Sequence, residues 1–254
     1  MPQTAAIVDA NVGTEAGRIL SHPFWSLMRI APKGNTHFKT VLEGPEDRQQ
    51  RFIEAIVNGF HPISRSSPMA FGRVATFAGD HGYMDAKKLA GQIEEIENGD
   101  HAFVELFSGV NHAESYLRTV AAVTGRAVAA DQLVERRYLD DLGIDQNGVG
   151  QVLGYCEMIE SIAPLTTAWI GEFVAQWAVL TGKSFTELWW PYLCEHLMTE
   201  GGESEDQHIQ IVDALIESMS DHCTHADRVA GCERFADATI AHLDRVMAAA
   251  APLS

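Results

Sequence analysis

Positive charge is scarce in this chain of 254 residues, which has 18 Lys and Arg residues against 35 Asp and Glu and a formal net charge of −17. An acidic surface repels phosphates, so we expect neither nucleic acid nor an anionic membrane as a partner. Four cysteines are too few for a disulfide framework in a chain of this length. These features favour a globular protein of the reducing cytoplasm.

Several other signals are missing. No apolar run approaches the roughly 18 residues of a membrane-spanning helix, and the N-terminus lacks the basic start of a signal peptide. The sequence has no GxSxG motif, no phosphate-binding P-loop and no glycine-rich dinucleotide motif. Their absence removes the usual hydrolase, NTPase and NAD-dependent interpretations. Strand alternation is nearly absent too, and only residues 73–77 are compatible with a short strand.

Helical periodicity is what the sequence has in abundance. Apolar residues recur every three or four positions, Pro164 is placed to start a new helix, and Gly125 and Gly182 are placed to end one. The pattern predicts helices over residues 45–60, 85–97, 102–123, 149–162, 164–180, 185–196, 208–219 and 226–247. We therefore expect one all-α domain over residues 1–254, a bundle of seven or eight helices with its core at roughly 22–249.

Three segments combine carboxylates with histidines or apolar residues. In the first, Glu94 and His101 are seven residues apart and share a helix face, and Glu97 is a competing carboxylate. The alternative interpretation is that the acidic residues here form a solvated face. In the second, Glu157 and Glu160 interrupt an apolar stretch just before Pro164. A carboxylate in such a stretch must be exposed, paired or bound to a cation.

The third segment is richest in such residues. His196 and Glu200 are four residues apart and share a helix face, and His208 follows after the Gly201–Gly202 pair. Imidazole and carboxylate together favour iron or manganese, whereas sites rich in thiolate favour zinc. The three segments therefore predict a metal site between helices.

Taken in chain order, these residues resemble the heme-oxygenase-like di-iron oxidases. The opening His22-Pro-Phe-Trp25 is also similar to the start of many members, whose fold is shared with heme oxygenase, the thiaminase-type TenA proteins and pyrroloquinoline-quinone synthase. The resemblance spans about His22 to Ile216 and implies a heme-oxygenase-like bundle. It also implies two Fe(II) ions as cofactors, O2 as cosubstrate, and the ligands Glu94, His101, Glu160, His196, Glu200 and His208.

The spacing of the late ligands departs from the family pattern. The family places its last acid three residues before the final histidine, whereas His208 follows Glu200 by eight. We interpret the difference as an insertion around Gly201–Gly202. Glu205 stays open as the replacement for Glu200, and Glu157 as the replacement for Glu160.

The resemblance implies an O2-dependent oxidoreductase that acts on a small organic acid in a natural-product type of pathway. The reaction is a desaturation, C–C cleavage, N-oxygenation or cyclisation, and the substrate is an amino acid by first preference or a fatty acid. Its carboxylate has candidate arginine partners in Arg65, Arg73, Arg118 and Arg126. Two alternatives stay open, and a homodimer is compatible with all three. One is a metal-free TenA-type hydrolase or cofactorless oxidase, for which Cys156 is a candidate nucleophile; the other is a non-catalytic helical interaction protein.

Overall fold

The computed structural model describes residues 10–31, 33–98, 110–184 and 205–250. These residues form nine α-helices and two short 3-10 helices, Pro23–Leu27 and Ile144–Gln146. The α-helices are α1 (Ala10–Leu20), α2 (Thr36–Leu42), α3 (Glu46–Asp80), α4 (Met84–Glu97), α5 (His112–Thr124), α6 (Gln132–Leu142), α7 (Val149–Thr181), α8 (Glu205–Ser218) and α9 (His225–Ala250).

The all-α class predicted from periodicity is confirmed, because the described residues contain helices and no strand. No helix among them is long and apolar enough to cross a bilayer. Gly125 and Gly182 end α5 and α7 in the left-handed conformation, with φ of 71° and 70°, as their positions predict. The helix expected at 102–123 is described only from His112, and the one expected at 185–196 lies outside the described residues.

The longest helix, α3, is the spine of the bundle. It contacts α4, α5, α6, α7 and α9, and its apolar residues lie in the central core. One expectation was wrong here: the helix predicted to end at residue 60 runs on to Asp80, and it includes residues 73–77, which the sequence left compatible with a short strand. The heptad-like apolar spacing continues through this whole stretch, and burial against five neighbours outweighs the strand preference of a short apolar run.

Pro62 and Pro68 both lie inside α3. A proline cannot donate to the carbonyl four residues earlier, so Pro62 leaves the Asn58 carbonyl without its helical partner. His242 of α9 is buried beside this turn: its Nε2 donates to the Gly59 carbonyl at 3.1 Å, and it also interacts with the Asn58 backbone. The imidazole therefore replaces part of the hydrogen bonding that proline removes.

Helix α7 corrects a second expectation. The predicted break at Pro164 does not occur, and one helix of 33 residues runs from Val149 to Thr181. Pro164 removes only the hydrogen bond to the Glu160 carbonyl. Because most of α7 is buried on several sides, packing stabilises the continuous helix by more than that single bond costs.

The motif His22-Pro-Phe-Trp25 forms the first 3-10 helix, and His22 caps it by accepting from the Phe24 backbone N–H at 3.1 Å. Trp25 is fully buried, with its ring 6.3 Å from Phe60 of α3 and 5.5 Å from Trp169 of α7. Trp25 therefore packs between the middle of α3 and the middle of α7.

Glycines allow α7 and α9 to approach closely. A Cβ on Gly154 would lie 2.3 Å from the Arg228 carbonyl oxygen, and one on Gly231 would lie 2.1 Å from the Gln151 carbonyl oxygen. Both contacts are to backbone, which cannot rotate away as a side chain can.

Gly154→Ala and Gly231→Ala should each lower the free energy of unfolding by roughly 2–3 kcal/mol, since overpacking forces the two helices apart. Gly91→Ala is the control, because a Cβ there meets nothing within 4 Å in the middle of α4. Alanine at that position should instead stabilise the protein by about 0.5–1 kcal/mol. Urea unfolding followed by circular dichroism measures all three; equal effects would contradict the packing described.

Burial lowers the pKa of His242 from 6.5 to about 4. The unfolded chain therefore binds a proton that the folded chain excludes between these two pH values. The free energy of unfolding should fall as pH decreases from about 6.5 to about 4, and His242→Gln should make that decrease shallower. Urea titrations across this range measure it, and parallel pH profiles for parent and variant would contradict the assignment.

Candidate metal centre

Two carboxylate–imidazole pairs lie inside the bundle. His208 Nδ1 of α8 is 3.2 Å from Glu160 Oε2 of α7, and His112 Nδ1 of α5 is 2.9 Å from Glu97 Oε2 of α4. All four residues are less than 9 % exposed. Four different helices thus contribute one polar residue each to the interior.

The Glu160–His208 pair joins two of the residues that the sequence predicts as ligands. They are 48 positions apart in the chain, and packing of α8 against α7 brings them together. Glu160 Oε1 is buried and has no hydrogen-bond partner among the described residues. Pro164 also leaves the main-chain carbonyl of Glu160 without its helical donor. This part of α7 therefore has spare acceptor capacity that points to an additional cation or donor.

The Glu97–His112 pair was not in the predicted ligand set. Glu97 was considered only as a carboxylate that competes with Glu94, and His112 was not predicted. The signal for His112 was present in the sequence: with Tyr116, Val120 and Val123 it forms the buried stripe of α5, at helical spacing. Asn111 caps this helix by accepting from the Glu114 backbone N–H at 2.9 Å, which fixes His112 in its first turn.

Contacts between α3 and α7 give the height of Glu160 in the bundle. The rings of Phe52 and Trp177 stack at 5.9 Å, and Trp25 touches both Phe60 and Trp169. These contacts show that the two helices are antiparallel, with Phe52 level with Trp177 and Phe60 level with Trp169. At 1.5 Å per residue on both helices, Glu160 lies level with about residue 69 of α3.

The same reasoning gives the height of Glu97. A Cβ on Gly79 would touch the Lys87 side chain, and one on Gly72 would touch the Glu94 carboxylate, so α3 and α4 are also antiparallel. Continuing by one turn puts Glu97 level with about residue 69 of α3. The two carboxylates therefore lie at the same height.

Helix α8 agrees with this placement. Its end lies near the start of α4, because the rings of His222 and Tyr83 are 5.6 Å apart. Both helices have 14 residues and they pack against each other, so the first turns of α8, with His208, lie level with the end of α4. Both pairs thus occur in one layer of the bundle.

Ser67 of α3 belongs to this layer as well. It is 2 % exposed, and its Oγ has no hydrogen-bond partner among the described residues. It lies on the same helical stripe as Phe60, Phe71 and Val74, the interior face of α3. A buried hydroxyl at this height adds a third polar group directed into the bundle.

Glu94 and Glu157 lie elsewhere. Glu94 is half-buried, its carboxylate lies over Gly72, and burial followed by the charge of Glu95 raises its pKa. Within the described residues it makes no hydrogen bond to Glu160 or His208. Glu157 Oε1 instead accepts from Arg228 Nη1 at 2.6 Å. Glu160 and not Glu157 therefore faces the interior pair.

Three predicted ligands, His101, His196 and Glu200, lie outside the described residues. Glu205 is the first residue of α8, one turn before His208, and its side chain is likewise not described. Within the part of the chain that is described, no group of three or more His, Cys, Asp and Glu side chains is placed to hold one metal ion. The described donors occur as two pairs.

The candidate arginines differ in their partners. Arg65 lies 3.8 Å from Glu135, Arg118 pairs with Glu114 at 3.1 Å, and Arg126 lies 3.4 Å from Glu46. Arg73 is half-buried and has no carboxylate partner among the described residues. It follows Gly72, against which Glu94 lies.

The geometry of the two pairs is compatible with metal binding. Two ligand atoms about 2.1 Å from one metal ion at about 90° are about 3 Å apart, which matches the measured separations of 2.9 and 3.2 Å. Carboxylate oxygen and imidazole nitrogen also suit iron and manganese. A hydrogen bond from a protonated imidazole gives the same distances, but leaves Glu160 Oε1 unsatisfied.

Comparison with known proteins adds no identification: no family model, curated protein or solved structure matches this chain.

Cys156, the candidate nucleophile of the hydrolase alternative, is fully buried in the core. Burial, followed by the nearby charges of Glu160 and Glu157, raises its thiol pKa well above the usual value. A nucleophilic cysteine needs access and a lowered pKa, and Cys156 has neither.

We expect Cys156 to resist alkylation in the folded protein. Iodoacetamide at about pH 8 should leave it unmodified in native protein and modify it in urea, because a buried neutral thiol is unreactive. Peptide mass spectrometry measures this site directly, and the urea sample is the control. Equal labelling in both samples would return Cys156 to consideration as a nucleophile.

Proposed function

We propose that this chain is a non-heme di-iron oxidoreductase of the heme-oxygenase-like type, which uses O2 to oxidise a small organic acid. The observation that carries the proposal is the pair of buried carboxylate–imidazole contacts, Glu97–His112 and Glu160–His208, in one layer of an all-α bundle. Isolated buried carboxylates are costly, and a dinuclear site explains why two are kept at the same height of the bundle, each with a nitrogen donor.

The ligand assignment differs from that implied by the sequence resemblance at two positions, because Glu97 replaces Glu94 and His112 is added. Glu97 with His112 would hold one ion, in place of Glu94, and Glu160 with His208 would hold the other. His101, His196 and Glu200, or Glu205 instead of Glu200, remain predicted ligands that complete the coordination. Bound ferrous ions would supply the electrons for O2 reduction and substrate oxidation.

The chain's own residues would exclude water and orient the substrate. Phe71 and Val74 extend the buried interior face of α3 next to the polar layer, and Ser67 Oγ is available to hydrogen-bond a ligand there. Arg73 is the preferred partner for a substrate carboxylate, since its guanidinium is not held by another acid among the described residues and can bind in a bidentate manner. An amino acid is the favoured substrate, and a fatty acid the second choice.

After anaerobic loading with ferrous iron and desalting, the protein should retain about two iron atoms per chain. Glu97→Gln, His112→Ala, Glu160→Gln and His208→Ala should each lower this to about one or fewer, because each removes a donor from a small ligand set. Plasma mass spectrometry measures the iron content, and circular dichroism confirms that each variant is folded.

Two matched variants act as controls. Glu157→Gln changes a neighbouring carboxylate of α7 that is held by Arg228, and should keep full iron. Glu94→Gln tests which carboxylate of α4 is the metal ligand. Loss of iron in this variant but not in Glu97→Gln would show that Glu94, and not Glu97, is that ligand. A parent protein that retains no iron would contradict the proposal and favour a non-catalytic helical protein. O2 consumption with panels of amino acids and fatty acids then identifies the substrate class.

A further inference from the structure

A cavity lies well away from the polar layer. It has a volume of about 290 Å³ and lies between α3, α6 and α9. Its apolar wall includes Ala55, Val134, Val246 and Ala250. The α3 residues that line it end at Asn58, nine positions before Ser67, which is about 13 Å along the helix.

Three arginines surround this apolar wall, each from a different helix: Arg51 of α3, Arg137 of α6 and Arg245 of α9. The only acidic residue in the lining is Glu54, whose Oε1 accepts from Gln50 Nε2 at 3.0 Å. In a chain with almost twice as many acidic as basic residues, the described lining of this cavity has more basic than acidic side chains, although Asp47 and Asp141 pair with two of the arginines.

The arginines retain capacity for a further anion. Arg51 Nη2 is 2.9 Å from Asp47, and Arg245 Nη2 is 2.7 Å from Asp141, so each contact uses one of the five N–H donors of its guanidinium. Arg137 is exposed and has no ion pair among the described residues. A carboxylate placed between them would meet complementary charge.

We propose that this cavity binds an amphipathic monocarboxylate, with its apolar chain against the alanine and valine wall and its carboxylate at the arginines. The volume is at the lower limit for ligand pockets, which favours a short acyl chain. The mostly apolar wall is unsuited to a polyphosphate or a sugar. This inference does not depend on the proposed metal centre.

Octanoate is the probe, titrated into the full-length protein by isothermal calorimetry. We expect saturable binding at one site per chain, and 1-octanol, which has the same chain but no charge, to bind at least about fivefold more weakly. Equal binding of octanol and octanoate would contradict the role of the arginines, and no octanoate binding would contradict the proposal as a whole.

Two matched pairs of variants locate the site. Arg137→Ala should weaken octanoate binding by about fivefold, whereas Arg136→Ala should not, because Arg136 lines a different cavity. Ala249→Trp should abolish binding by filling the cavity, while Ala248→Trp, at an exposed position outside the lining, should not. All four positions are exposed, so the fold should survive.

Indistinguishable affinities within both pairs would place octanoate elsewhere and overturn the assignment. A variant ending at Ala250 tests one competing occupant. If octanoate binds only after residues 251–254 are deleted, the chain's own end competes for the cavity, and the proposed ligand is wrong.

Discussion

Burial of two carboxylates inside a helical bundle is the constraint on which the rest of this structure depends. Glu97 and Glu160 are at most 8 % exposed, and an isolated ion there would cost several kcal/mol. Each has a histidine within 3.2 Å. These contacts reduce the cost without removing it, because Glu160 Oε1 still has no hydrogen-bond partner among the described residues. A bound cation is the addition that would balance this charge.

The packing of the surrounding helices stabilises this layer despite the cost of burying the two carboxylates. Helices α4 and α7 both run antiparallel to α3, so that residues distant in sequence lie at one height. Helix α7 stays continuous through Pro164. Because proline has no backbone N–H, the main-chain carbonyl of Glu160 lacks its helical hydrogen bond. Close glycine contacts between α7 and α9, and the contacts of Trp25 with Phe60 and Trp169, hold α7 in place. The free energy gained from apolar packing therefore offsets the cost of burying the polar layer.

Periodicity was sufficient to predict the helical class and several helix ends, because both depend on local spacing and on residues such as Gly125 and Gly182. The continuity of α3 and α7 through their prolines was not predictable, since it depends on burial against several neighbours at once. The pairing of Glu160 with His208 agrees with the residues singled out from the sequence, whereas Glu97–His112 was missed. Spacing within one segment favoured Glu94 and His101. His112 lies on the apolar stripe of α5, but its pairing with Glu97 depends on the tertiary packing of α5 in the bundle.

We propose that the two carboxylate–imidazole pairs are the two halves of one metal centre. Crystals of ferrous-loaded protein, measured on both sides of the iron absorption edge, test this most directly. We expect two anomalous peaks about 3.5–4 Å apart, one beside Glu97 and His112 and the other beside Glu160 and His208. Iron peaks elsewhere, or none while both histidines still contact their carboxylates directly, would contradict it.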